Sequence, residues 1–173
     1  MHRRAWGTSL ISGLLLGLFV LSSTMPASAR SEGATTAART TAVSPPTQFE
    51  SDLLGLINRR RASIGCPTLA YRSTLAYAAR QHTSKMIAAH EVSHQLAREP
   101  SLATRITNAG YTPWRMLAEN LAEGTKGPYA TYKLWMGSAP HKANIQNCGL
   151  RNAGIGSSWA YGVTWNTIDF GRQ

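Results

Sequence analysis

His90-Glu91-Val92-Ser93-His94 matches a pattern in which two imidazoles one helical turn apart bind zinc and the glutamate activates water. Its flanks, Ile87-Ala88-Ala89 and Gln95-Leu96-Ala97, permit a helix, and Glu119 is the nearby acid that would complete the set. A second grouping centres on Trp135 to Cys148. Ser138 is a natural N-cap, because its hydroxyl can accept a bond from an amide left free at a helix start, and Pro140 fits the first turn. His141 then lies in that first turn, where the positive end of the helix dipole disfavours imidazolium and keeps the ring neutral, the form that binds a metal. His82 falls on an apolar stripe and reads as a hydrogen-bonded structural histidine. No Ser-His-Asp or Cys-His arrangement offers another hydrolytic route, since the two cysteines are better used in a bridge.

The elements that must position these groups follow from capping and periodicity. Thr47-Gln-Phe-Glu50 is a capping box, and Phe49, Leu53, Leu56, Ile57 and Ile64 recur at helical spacing until Gly65-Cys66-Pro67. Ser73 or Thr74 opens a second helix with Leu75, Ala79, His82, Met86 and Ala89 on one stripe. Ser101 to Ala109, closed by Gly110, predicts a third. Ala118 to Ala122 reads as a strand, Pro128 to Met136 and Ser138 to Gln146 as helices. Ala153 to Phe170 reads as antiparallel strands joined near Tyr161-Gly162. Helices first and strands late predict an α+β layered sandwich with a mostly antiparallel sheet, not a doubly wound parallel one. Trp114, Trp135, Tyr129 and Tyr132 are expected in the core or a cleft wall.

Residues 1–29 read as an export signal: His2-Arg3-Arg4, an apolar run from Leu10 to Val20, and Ala27-Ser28-Ala29 as cleavage site. The run is too short for a membrane span of about 20 residues, and an uncleaved anchor is the alternative. Residues 30–46, rich in Ala, Thr, Ser and Gly, cannot bury enough apolar surface to offset ordering and read as a flexible tether. Residues 47–173 suit one domain with a single core and no further membrane span. Without Arg3 and Arg4 the chain carries 16 basic against 8 acidic side chains, near +8, which favours anionic neighbours. The basic residues are scattered except Arg59-Arg60-Arg61, read as a solvated helix face, and no aromatic-interleaved nucleic-acid motif is present. Cys66 and Cys148, an even pair in an exported chain, read as a disulfide worth about 4–5 kcal/mol in the chain-entropy model, or else as two buried thiols.

Taken in order, these segments resemble the secreted bacterial branch of the CAP superfamily of cysteine-rich secretory, antigen five and pathogenesis-related proteins. The resemblance is carried by Asn58-Arg-Arg-Arg, Gly65-Cys-Pro-x-Leu69 and Leu75-Ala-Tyr-Ala-Ala-Arg-x-His82-x-x-x-Met86. Ser93-His94, Ala118-Glu-Asn-Leu-Ala-Glu-Gly124, Trp135-Met-x-Ser-x-x-His-Lys-Ala-Asn-Ile145, Gly154-Ile-Gly156 and Asp169-Phe170-Gly171 continue it. It spans nearly all of residues 49–171. In that frame His90 and Glu91 end the second helix, and the zinc-protease pattern is accidental. The resemblance implies a three-layer α/β/α sandwich whose cleft gathers His94, Glu119 and His141. Two neutral imidazoles there would hold a divalent cation, zinc or calcium, with Glu119 in support. Three positions depart from the pattern: Ser138 replaces a glutamate, Asn152 an acid and Ile168 a glutamine. Fewer acids weaken acid–base hydrolysis, because one carboxylate must serve alone.

The reading that follows is an extracellular, monomeric, non-catalytic binding module for a lipid-like or anionic cell-envelope component. The rival is a metal-dependent peptidase with His94 and His141 on the ion and Glu119 as base, and adhesion to anionic polymer through charge is a third.

Overall fold

The computed structural model describes residues 44–173, so the expected export signal and residues 30–43 of the expected tether lie outside the described residues. Ser44 to Pro46 run along the domain, with the Ser44 and Pro45 carbonyls accepting from the Arg80 guanidinium at 3.0 and 2.9 Å. Thr47 then starts α1 (Gln48–Ser63): its hydroxyl accepts from the Glu50 amide, and the Glu50 carboxylate accepts from the Thr47 amide at 2.8 Å. That reciprocal pair satisfies two donors a helix start leaves free. Gly65, at φ 74°, turns the chain away.

The next elements are β1 (Ala70–Tyr71), α2 (Ser73–Ala89), α3 (Leu102–Asn108), β2 (Met116–Thr125), α4 (Pro128–Gly137) and α5 (Ala139–Gln146). The chain closes with β3 (Asn152–Ala160) and β4 (Val163–Arg172), joined by a two-residue turn in which Tyr161 and Gly162 both have positive φ. Such turns match the twist of antiparallel strands. The sheet runs β1-β3-β4-β2; β1 adds parallel to β3, while β3–β4 and β2–β4 are antiparallel. With two residues, β1 is too short to carry an alternation signal, and the sequence gives no hint of it.

Alternation along the strands gives the sheet two unlike faces. On one, Ile155, Ile168 and Phe170 pack against Leu53 and Ile57 of α1, Trp135 of α4 and Ile145 of α5. On the other, Gly154 and Gly156 bring α2 so near that an added Cβ would meet the backbone of Leu75, Ala76, Ala79 and Arg80. Layers of helix therefore cover both faces, the expected α/β/α sandwich. Among the described residues, no helix is long and apolar enough to cross a membrane.

Two local expectations are corrected. Arg61 is not on a solvated face: it is fully buried and donates to the carbonyls of Pro67, Ile145, Asn147 and Leu150 at 2.8–2.9 Å. Its planar fork satisfies carbonyls that two loops leave free. Trp135 and Tyr132 do join the core, but Tyr129 is 62 % exposed and Trp114 36 %. Cys66 and Cys148 are bridged, pinning the end of α1 to the end of α5.

Candidate functional site

Glu119 lies in β2, an edge strand, and its side chain points to the α2 face, where it is buried. A carboxylate so placed needs partners, because burying an unpaired charge costs several kcal/mol. One oxygen bonds His94 Nδ1 at 2.7 Å and the other accepts from Arg105 Nη2 at 2.5 Å. Arg105, on α3, also donates from Nη1 to the His94 carbonyl at 3.0 Å and to Glu99 at 3.3 Å. Glu99 in turn bonds His82 Nδ1 at 2.9 Å, and His82 Nε2 meets the Ser93 carbonyl at 2.9 Å. His82 is therefore the hydrogen-bonded core histidine expected. The network fixes the loop 90–101 that carries His94.

The charges follow from this wiring. The bond to Glu119 raises the His94 pKa, against burial and Arg105, which lower it. Burial pushes Glu99 upward, but the bond and charge of His82, with Arg105, prevail and hold it below its usual value. His141 shifts down, first through burial and then through the charge of His94. The expected direction is found, with burial rather than the helix dipole as its leading cause. Asp169 is fully buried, faces Glu119 as its register partner on β4, and neither of its oxygens finds a donor among the described residues. Burial, and then the Glu119 charge, raise its pKa well above the usual carboxylate value.

His141 approaches from the other layer. It sits on α5, half-buried, with its Nδ1 unpartnered and its carbonyl accepting from Asn120 at 3.0 Å. Asn144 ties α5 to the Glu119 carbonyl at 3.2 Å. Ser138 does precede α5, but its hydroxyl makes no capping bond; its carbonyl instead accepts from the Lys142 amide. With Pro140 in the first turn, one of the free amides that such a cap would serve is missing.

His90 stands apart. It ends α2 in the left-handed conformation, so residues 90–94 are not helical and the two histidines are not one turn apart. Its Nε2 meets the Tyr161 hydroxyl at 3.1 Å. The pattern His90-Glu91-x-x-His94 is thus accidental.

Chemically, the arrangement orients one imidazole. The His94 side chain is 63 % exposed while its Nδ1 is fixed to a buried carboxylate. Among the described residues, no three His, Cys, Asp or Glu side chains gather as a group able to hold a metal ion. Two surface hollows back onto this network, about 230 Å³ between α2 and α3 at Tyr77 and Arg105 and about 350 Å³ at Lys85, Leu96 and Glu99, and a third of about 200 Å³ lies apart at Phe49 and Trp159.

Arg105, Glu99 and Asp169 are site residues that the sequence does not single out. A signal exists for Asp169, a lone acid between Ile168 and Phe170 in an otherwise uncharged stretch of strand. Nothing in the local pattern marks Arg105 or Glu99, whose partners lie on other elements.

The family model described as the cysteine-rich secretory protein family, CAP, matches residues 54–163. The uncharacterized protein YkwD of Bacillus subtilis (strain 168) is 29 % identical over 117 residues, covering 68 % of this chain and 45 % of its own. The chain therefore spans under half the length of that relative. A crystal structure of an extracellular SCP-domain protein from Bacillus anthracis str. Ames superposes with TM-score 0.67 at 22 % identity, over 75 % of this chain and 45 % of that one. An outer surface protein from Borrelia burgdorferi does so with TM-score 0.67 at 19 % identity, over 75 % of this chain and 96 % of that one. At these identities the superpositions speak to fold alone.

Proposed function

This chain belongs to the cysteine-rich secretory protein (CAP) family, and on that premise we propose that it acts outside the cell as a non-catalytic binding module. His94 and His141 form its ligand-contact facet, with Glu119 buried behind His94 to hold it. One observation carries the reading: an imidazole left 63 % open to solvent is held by a carboxylate that is itself buried and clamped by Arg105. A group fixed this way loses little freedom on binding. With its pKa raised by Glu119, His94 stays cationic to higher pH and presents Nε2–H to an acidic or carbonyl-bearing partner. The net charge near +8 that remains without Arg3 and Arg4 draws such partners near. An acidic component of the cell envelope, such as a phosphate-bearing lipid headgroup, fits this chemistry.

Export is supported by the leader-like residues 1–29 and by the disulfide between Cys66 and Cys148, which persists in oxidising compartments.

A resident divalent ion does not suit the donor set. Both Glu119 oxygens are committed, one to His94 and one to Arg105. Zinc sites use three or four protein ligands, more than His94 and His141 supply. No step is therefore assigned to a metal. The second reading, a metal-dependent peptidase, draws on one feature: a carboxylate bound to Nδ1 is also how metal-ligating histidines are oriented.

Calorimetric titration separates the two. Wild type should bind short-chain phosphatidylglycerol below its micellar concentration, and His94→Ala/His141→Ala should bind it at least tenfold more weakly. Equal binding by both proteins removes the binding-module reading. Zinc uptake that disappears in the double variant, together with cleavage of a peptide library, installs the peptidase in its place.

A further inference from the structure

Residues 152–168 contain no Asp, Glu, Lys or Arg, in a chain with 18 basic and 8 acidic side chains. Within this uncharged hairpin Trp159 is 62 % exposed. It walls an open hollow of about 200 Å³, lined also by Phe49, Ser157, Ser158 and Thr164. Leaving an indole this open forgoes much of the burial that a tryptophan contributes in a core.

The walls are held from within. Glu50, 2 % exposed, accepts from the Ser157 amide at 3.3 Å while it pairs with Arg80 at 2.5 Å and closes the capping box of α1. The start of α1, with Phe49, is thus fixed against β3. The Ser157 hydroxyl donates to Asn166 Oδ1 at 2.8 Å, which leaves its oxygen lone pairs free to accept. Thr164, by contrast, spends its hydroxyl on Thr125 and serves as wall only.

We propose that this hollow is a saccharide subsite in which Trp159 is the platform for one neutral pyranose ring. A pyranose has an apolar face of C–H groups and a rim of hydroxyls, so it needs a flat aromatic, hydroxyl partners at the edge and no charge. Those are the features gathered here. The volume lies below the 300–1,000 Å³ of drug-sized pockets, as a single ring requires. An alkyl chain would call for an enclosed slot without hydroxyls, and an acidic polymer for cations that residues 152–168 lack. The inference stands independently of the His94 facet.

The test is a titration of the purified chain with tri-N-acetylchitotriose, following tryptophan emission and the Trp159 indole N–H resonance. A saturable shift with a dissociation constant on the order of millimolar is expected, corresponding to about 4 kcal/mol. Trp159→Ala should weaken it at least tenfold, and Trp159→Phe less. Trp114→Ala, in the connection between α3 and β2, should leave it unchanged. Circular dichroism checks that each variant is folded. Absence of saturation, or an equal response from Trp159→Ala, overturns the proposal. So does Trp159-dependent sedimentation with phosphatidylcholine/phosphatidylglycerol vesicles when the saccharide gives no response, since the occupant is then a bilayer.

Discussion

On the α1 side of the sheet, Ile155, Ile168 and Phe170 meet Leu53, Ile57 and Trp135; on the α2 side, the same sheet presents Glu119 and Asp169 to His82, Glu99 and Arg105. The first face is held by apolar burial, which is non-directional and proportional to area. Its residues tolerate exchange for others of similar volume. The second is held by directed bonds among charges, which stabilise only as a complete set, because each lost partner strands another group. The charged face also touches solvent, through His94 and Lys85, where the apolar cluster around Ile155, Ile168 and Phe170 is sealed. A fold with one sealed cluster keeps its stability there and leaves the charged face free to hold groups in costly arrangements. Asp169, a buried acid without a donor among the described residues, is such an arrangement.

The comparison can be broken most severely at the seam where α2 meets the sheet. Gly154→Ala drives a Cβ into the Leu75–Ala76 backbone and should cost about 3 kcal/mol or more by urea denaturation. A loss below about 1 kcal/mol would mean that α2 can lift away, and the charged face would not be rigid. Next come truncations on each face. Trp135→Ala on the oily side and Arg105→Ala on the charged side should each cost about 3–5 kcal/mol. Only the second should vary strongly with pH, because it leaves Glu99 and Glu119 as buried carboxylates that unfolding or protonation must relieve. Matching pH profiles for the two variants would erase the distinction between the faces.

A smaller effect of opposite sign is expected at Asp169. Its folded pKa is raised, so its contribution is fully present below the unfolded value of about 4 and is lost as pH rises, when only the unfolded chain releases the proton. Asp169→Asn should therefore stabilise on the order of 1 kcal/mol at pH 7 and make little difference at pH 3. An equal gain at both pH values would point to packing instead. Finest of all is the imidazole titration followed by NMR. The His94 midpoint should lie above about 6.5 and that of His141 below it. Glu119→Gln should bring His94 down and leave His141 below its ordinary value through burial. The associated stabilities run oppositely: that of His94 fades as pH rises past about 6.5, that of His141 as pH falls below it. His94 is largely exposed, so its share is small.

Features with a local signal are legible in the sequence. Thr47-x-x-Glu50 locates the start of α1 because a capping box is complete within four residues. Gly162 helps locate the β3–β4 turn because positive φ favours glycine, whereas Tyr161 takes the same region against its preference. Arg61 is misread: it continues the Leu53–Ile57 stripe at i+4 spacing, but its charge argues for solvent until the carbonyls of residues 145–150 dock on it. His94, Glu119 and His141 are picked out only by the resemblance that the ordered segments carry. Arg105 and Glu99, which set the charges around them, leave no local signal, and Asp169 shows only as a lone acid in its strand.

What the chain alone determined, then, is periodicity, capping and punctuation: which segments are helix or strand, where they end, and that Cys66 and Cys148 are available to pair. The charge of each buried group, by contrast, is set by packing. That quantity depends on distance and desolvation between residues far apart in sequence, as with Glu119 and Asp169, which meet only because two antiparallel strands place them side by side.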